Sequence, residues 1–112
     1  MNESVWHRVE TMGFSGLQDG AIQEAGVGGR RVCLLLRSRE VVAFSPTCPH
    51  AGARLCEGWV DGRGDVVCPA HGYRFSPKNG LNRSGEGYRL KTFAVKVEGE
   101  AIFVALDPGP KG

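Results

Sequence analysis

The stretch Cys48-Pro49-His50-Ala51-Gly52 is echoed by Cys68-Pro69-Ala70-His71-Gly72. Each half sets one thiol and one imidazole a residue or two apart, beside a proline and just ahead of a glycine. Residues 51–67, seventeen in all, separate His50 from Cys68, enough chain for a hairpin that brings two loops face to face. Two thiolates and two imidazoles converging in this way can hold a metal centre. The remaining residues then read as the scaffold that presents it.

Outward from these loops run short strands punctuated by turns. Val66-Val67 delivers Cys68, and Tyr73-Arg74-Phe75 leaves the second loop toward a turn at Ser76–Gly80. Val41–Phe44 ends at Ser45-Pro46, just before the first loop. The apolar run Arg31–Leu36 suits a central strand, entered through Gly28-Gly29, a pair that takes positive φ without penalty, and left through a turn at Ser38-Arg39. Val5–Val9 alternates as a first edge strand, Thr11–Gly20 is a loop with at most one helical turn, and Ala21–Ala25 is a weaker strand. Arg54–Val60 is mixed, Asp61–Gly64 turns, and Arg83–Gly87 is a glycine-rich loop. A closing hairpin pairs Lys91–Val97 with Ala101–Leu106 across Glu98–Glu100, with Phe93, Val95 and Val97 on one face. Asp107–Gly112 is expected to fray. The fold class that follows is all-β, an antiparallel sandwich or barrel. One domain, 1–112, carries a two-loop insertion at about 46–82.

Composition narrows the function. At 112 residues the chain can bury one modest core, and its 17 glycines favour turns over helices. A net charge of +2, with no lysine and arginine run, gives no footprint for nucleic acid. No apolar run approaches the roughly 18 residues of a membrane helix. Met1–Val9 lacks the layout of a secretory signal, so a cytoplasmic location is expected. In that reducing setting metal binding is preferred to disulfides for the cysteines that accompany histidine.

A mixed thiolate and imidazole set suits zinc or an iron–sulfur centre. Zinc fingers usually pair Cys with Cys and His with His, whereas here each loop supplies one of each. Mixed loops are what a [2Fe–2S] core needs if one iron takes both sulfurs and the other both imidazoles. Pro49 and Pro69 stiffen the loops, and Gly52 and Gly72 let backbone amides turn toward bridging sulfides.

On these residues, CPHAG and CPAHGYRF, the chain resembles the Rieske iron–sulfur family, low-potential oxygenase-ferredoxin branch; LKTFAVKVEGEAIFV is similar to its closing hairpin. The resemblance implies a Rieske-like β-sandwich and one [2Fe–2S] cluster, with Cys48 and Cys68 on the inner iron and His50 and His71 on the outer one. It implies a one-electron carrier and not an enzyme, a ferredoxin fed by a flavin-dependent or other ferredoxin reductase and serving a terminal oxygenase or related redox enzyme. The alternative is a non-catalytic small subunit of a larger reductase, such as assimilatory nitrite reductase. With only three histidines in the chain, two of them in the loops, a separate oxygenase iron site cannot be built.

High-potential members of the family carry an extra cysteine in each loop. Ala53 and Ala70 stand there in this chain, so that disulfide cannot form. Those members also hold a serine and a tyrosine where Tyr73 and Phe75 occur. With fewer donors to cluster sulfur, the resemblance implies a potential at the low end of about −150 to +300 mV.

Other residues read more plainly. Cys33 is expected as a core thiol and Cys56 as a packing residue, Trp6 and Trp59 as packing aromatics, and His7 as a surface histidine. Small residues around the loops, Ala51, Gly52, Ala53 and Gly72, would not obstruct a docking partner. Arg54 and Arg74 are candidates for a basic rim facing an acidic partner patch, or for plain solvated charges.

Overall fold

The computed structural model describes residues 5–48, 53–70, 72–83 and 89–106. Its strands are β1 (Val5–Arg8), β2 (Ile22–Val27), β3 (Arg30–Arg37), β4 (Glu40–Phe44), β5 (Trp59–Val60), β6 (Val66–Val67), β7 (Arg74–Phe75), β8 (Thr92–Phe93), β9 (Val95–Glu98) and β10 (Ala101–Leu106). They form three antiparallel sheets, ordered β1-β10-β9, β2-β3-β4-β8 and β5-β6-β7. Among the described residues the only helical pieces are single 3-10 turns at Phe14–Gly16 and Leu55–Glu57.

The middle sheet is a septum with a core on each side, which is why β3 is apolar without interruption from Val32 to Leu36. Side chains alternate across a strand, so a strand covered on both faces must be hydrophobic at every position. Val32 and Leu34 point into one core with Ala25, Val27, Ala43, Ile102, Val104 and Leu106. Cys33 and Leu35 point into the other, with Phe44, Cys48, Leu55, Val66, Cys68, Phe75 and Leu90. In β4, Val41 and Ala43 join the first core while Phe44 joins the second.

Turn chemistry sets the register. Gly28 and Gly29, both at positive φ (54° and 77°), close the β2–β3 hairpin between Val27 and Arg30. Ser38 and Arg39 do the same between Arg37 and Glu40 at φ 52° and 69°, a conformation non-glycine residues seldom take. The expected strand Ala21–Ala25 runs on to Val27, because Gly26 is kept in the ladder and its amide donates to Thr11 Oγ1 at 3.0 Å.

The closing segment is divided. Phe93 pairs with Ala43 in the middle sheet, and from Val95 the chain pairs with β10 in the outer one. Phe93 and Val95 pack on the first core as expected, but Val97, on the edge strand β9, is 40% exposed. After β4 the chain leaves the middle sheet and returns to pair with it again: Ser45 N donates to Lys91 O at 2.9 Å. The excursion 46–90 between those residues holds β5, β6 and β7 and both cysteine–histidine loops. The expected tail at 107–112 lies outside the described residues.

Candidate metal centre

Both loops are built to one plan. Thr47 bridges to Arg54, and Val67 pairs with Arg74. Inside these brackets the Cys48 amide donates to Ala53 O and the Cys68 amide donates to Tyr73 O, each at 2.8 Å. Cys48 and Cys68 thus open the two loops in the same way, each with its amide bonded to the carbonyl five residues on. Gly72 N also donates back to Cys68 O at 2.9 Å, with Gly72 at φ 73°. His50 and His71 lie outside the described residues, as do Pro49, Ala51 and Gly52.

The two thiols share one environment. Cys48 and Cys68 are 1% and 0% exposed and pack in the same core, with Leu55, Val66 and Phe75. β5 can lie against β6 at this point because residue 58 is glycine; a Cβ there would collide with Val67 O. Phe75, in register with Val66, fills the floor of this core with hydrocarbon and offers no hydrogen-bond donor.

The other two cysteines correct the sequence reading. Cys33 and Cys56 are joined by a disulfide with Cα atoms 5.7 Å apart; they are neither a core thiol nor a simple packing residue. Parity explains it. Cys33 alternates with Leu35 onto the same face of β3 that receives Leu55, and the 3-10 turn carrying Cys56 packs there. The pairing also bears on the cofactor. Two thiols remain, so the described residues cannot supply the four thiolates of a plant-type [2Fe–2S] site. What they offer a metal centre is two buried thiols in one core.

The rim differs from expectation too. Arg54 donates to Glu24 at 2.7 Å and to Glu57 at 3.2 Å, and Arg74 to Asp61 at 3.0 Å. At the equivalent bracket positions of the two tips, both cations already face carboxylates of this chain, so they do not form an unbalanced basic rim. Trp59, expected to pack, is 54% exposed. Trp6 is exposed as well, with Lys96 Nζ 4.7 Å from its ring centre. His7 is half-buried in β1, opposite Val104 and close to Gly28.

Asp61 organises the turn that precedes the second loop. Desolvation alone would raise its pKa, but the amides of Asp65 and Arg63 and the Arg74 guanidinium together hold it below the ordinary aspartate value. A carboxylate depressed on folding stabilises the fold above its unfolded pKa, and that contribution is lost as pH falls through the folded value. Acid titration should therefore loosen the turn below about pH 4, read from the Arg63 and Asp65 amide resonances. The variant Asp61→Asn should lack this acid step, and an unchanged titration in the variant would contradict the assignment.

The family model for the Rieske [2Fe-2S] domain matches residues 7–94. The ferredoxin component of the alkene monooxygenase system of Xanthobacter autotrophicus is 30% identical over 103 residues, 92% of this chain and 84% of that protein. A solved complex of reduced oxygenase and oxidized ferredoxin in carbazole 1,9a-dioxygenase contains a chain 30% identical, with a TM-score of 0.76 over 92% of this chain and 94% of that one. A Mycobacterium tuberculosis chain assigned as the small subunit of an NADH-dependent nitrite reductase superposes with a TM-score of 0.80, covering 93% and 96% of the two chains. Its identity is 22%, a likeness of fold alone. This chain belongs to the Rieske [2Fe-2S] domain family, and a Rieske-type [2Fe–2S] cluster is its cofactor.

Proposed function

We propose that this chain is a ferredoxin, a one-electron carrier that takes electrons from a flavin-dependent or other reductase and delivers them to a terminal oxygenase. We read it as a carrier and not as an enzyme. The observation that carries the reading is the pair of buried cysteines in one core, Cys48 and Cys68, each opening a loop closed by the same amide-to-carbonyl bond five residues on. We assign Cys48 and Cys68 to one iron and His50 and His71 to the other. The whole chain, 1–112, is read as one domain, with 46–82 as its cluster-binding part. The similarity to a ferredoxin component and to a ferredoxin solved with its oxygenase supports this partner class. The likeness to a nitrite reductase small subunit concerns the fold and does not favour the second reading. A cytoplasmic location is part of this reading.

When bound, the cluster supplies a one-electron couple. The chain's own contribution on the sulfur side is a core in which Leu55, Val66 and Phe75 pack with both thiols, with Tyr73 partly buried against it. Phe75 offers no donor to a sulfur, and Ala53 and Ala70 leave no cross-loop disulfide. A redox titration is therefore expected to give a midpoint in the lower part of the roughly −150 to +300 mV range. Stopped-flow mixing with a reduced flavin reductase should show rapid one-electron uptake, followed by loss of that electron to an oxygenase. A midpoint at the top of the range, or no transfer in either direction, would overturn the carrier reading.

A further inference from the structure

We propose that the Cys33–Cys56 disulfide is a redox-operated clamp on the first loop, closed by a peroxide and opened by a dithiol reductant, which governs how firmly the chain retains its cluster. The proposal rests on the reading of Cys48 as a ligand. Cys56 lies eight residues beyond Cys48, in the 3-10 turn that directly follows the first tip. Cys33 sits mid-strand in β3, on the face that forms the core shared with Cys48 and Cys68. The S–S bond is thus a covalent tie between the middle sheet and the loop carrying one thiol. Polar ties of this segment include the Cys48 amide to Ala53 O and the Leu55 amide to Pro46 O, each at 2.8 Å, the Thr47–Arg54 bridge, and the ion pairs of Arg54, which is 57% exposed. Exposed ion pairs hold a loop weakly.

The two sulfurs are not equivalent. Cys33 is 0% exposed, while Cys56 is partly exposed. Exchange needs access to the sulfur attacked, so it begins at Cys56. A thiolate of the dithiol bonds to Cys56 Sγ, the S–S bond breaks, and Cys33 leaves and takes a proton. The second thiol of the reductant then displaces Cys56 as a thiol. Two electrons and two protons enter the chain, and the dithiol becomes a disulfide. In the reverse direction hydrogen peroxide oxidises Cys56 to a sulfenic acid with release of water. Cys33 displaces the hydroxyl as a second water and re-forms the bond. In a reducing compartment such a pair is not a permanent staple, so its state follows the local balance of dithiol and peroxide.

The test uses the cluster-loaded protein isolated in air. Denaturation in an alkylating agent without reductant should label Cys48 and Cys68 only, and all four cysteines after dithiothreitol, as counted by intact mass. Loss of visible absorbance into a ferrous chelator should then run about tenfold faster for dithiothreitol-treated protein than for the disulfide form, as expected when a cross-link restraining local opening is removed. Cys56→Ser and the double variant Cys33→Ala/Cys56→Ala should lose the cluster at the fast rate without reductant, and dithiothreitol should not accelerate them further. Equal rates for the two wild-type forms, equal acceleration of the variants by dithiothreitol, or four labelled cysteines in the freshly isolated protein would overturn the clamp. A colourless chain would overturn the carrier reading and the clamp's role with it, while the mass count would still report the bond itself.

Discussion

Cys48→Ala and Cys68→Ala are each expected to yield folded protein without visible colour, holding more than about tenfold less iron per chain than wild type. Even a group behind a metal ligand costs about 10–100-fold in affinity when removed, and a direct thiolate ligand costs more. Folding should survive, because the thiol is replaced by a small apolar group in a core that already holds Leu55, Val66 and Phe75. Equivalence of the two tips makes the prediction symmetrical: the losses should match, since each cysteine opens a loop closed by the same 2.8 Å bond. Iron and acid-labile sulfide analysis alongside far-UV circular dichroism separates ligand loss from unfolding. Retention of the full complement by either variant would remove that cysteine from the site.

Phe75→Ala should carry the largest cost in stability, about 3–5 kcal/mol, and lower the melting temperature by roughly 15 °C. Phe75 is fully buried, lies in register with Val66, and is among the largest side chains of the core that contains both thiols. Its removal takes the floor from beneath the second tip, so cluster loss should precede global unfolding on heating. Trp59→Ala gives the contrast. Trp59 is on the same small sheet yet 54% exposed, and its truncation should change stability by less than about 0.5 kcal/mol. Comparable melting temperatures for the two variants would show that the core beneath the thiols has been misassigned.

What could be read in advance follows from which signals are local. The unbroken apolar run of β3, the Gly28-Gly29 and Ser38-Arg39 turns and the closing hairpin that pairs β9 with β10 depend on neighbours in sequence, and they appear where expected. Likewise the two tips: a residue paired before each cysteine and six residues on is what two hairpins require. The misses needed the third dimension. Cys33 and Cys56, 23 residues apart, meet because the excursion beginning at Pro46 comes back over the odd-numbered face of β3. The parity of Cys33 with Leu35 was legible, but the return of Cys56 to that face was not. Arg54 and Arg74 find Glu24, Glu57 and Asp61, partners fixed by tertiary placement and in part by distant strands. Val97 follows the apolar period of its strand but lies on an edge, where pairing satisfies the backbone without covering the side chain.

Pulsed EPR of the purified protein after one-electron reduction tests the central claim most directly. A [2Fe–2S] pair bound by two cysteines and two histidines should be silent when oxidised. After dithionite it should give one paramagnetic signal per chain, with hyperfine coupling from two distinct imidazole nitrogens that disappears partly in His50→Cys and in His71→Cys. A reduced signal without nitrogen coupling, or a protein that carries zinc and no colour, would contradict it.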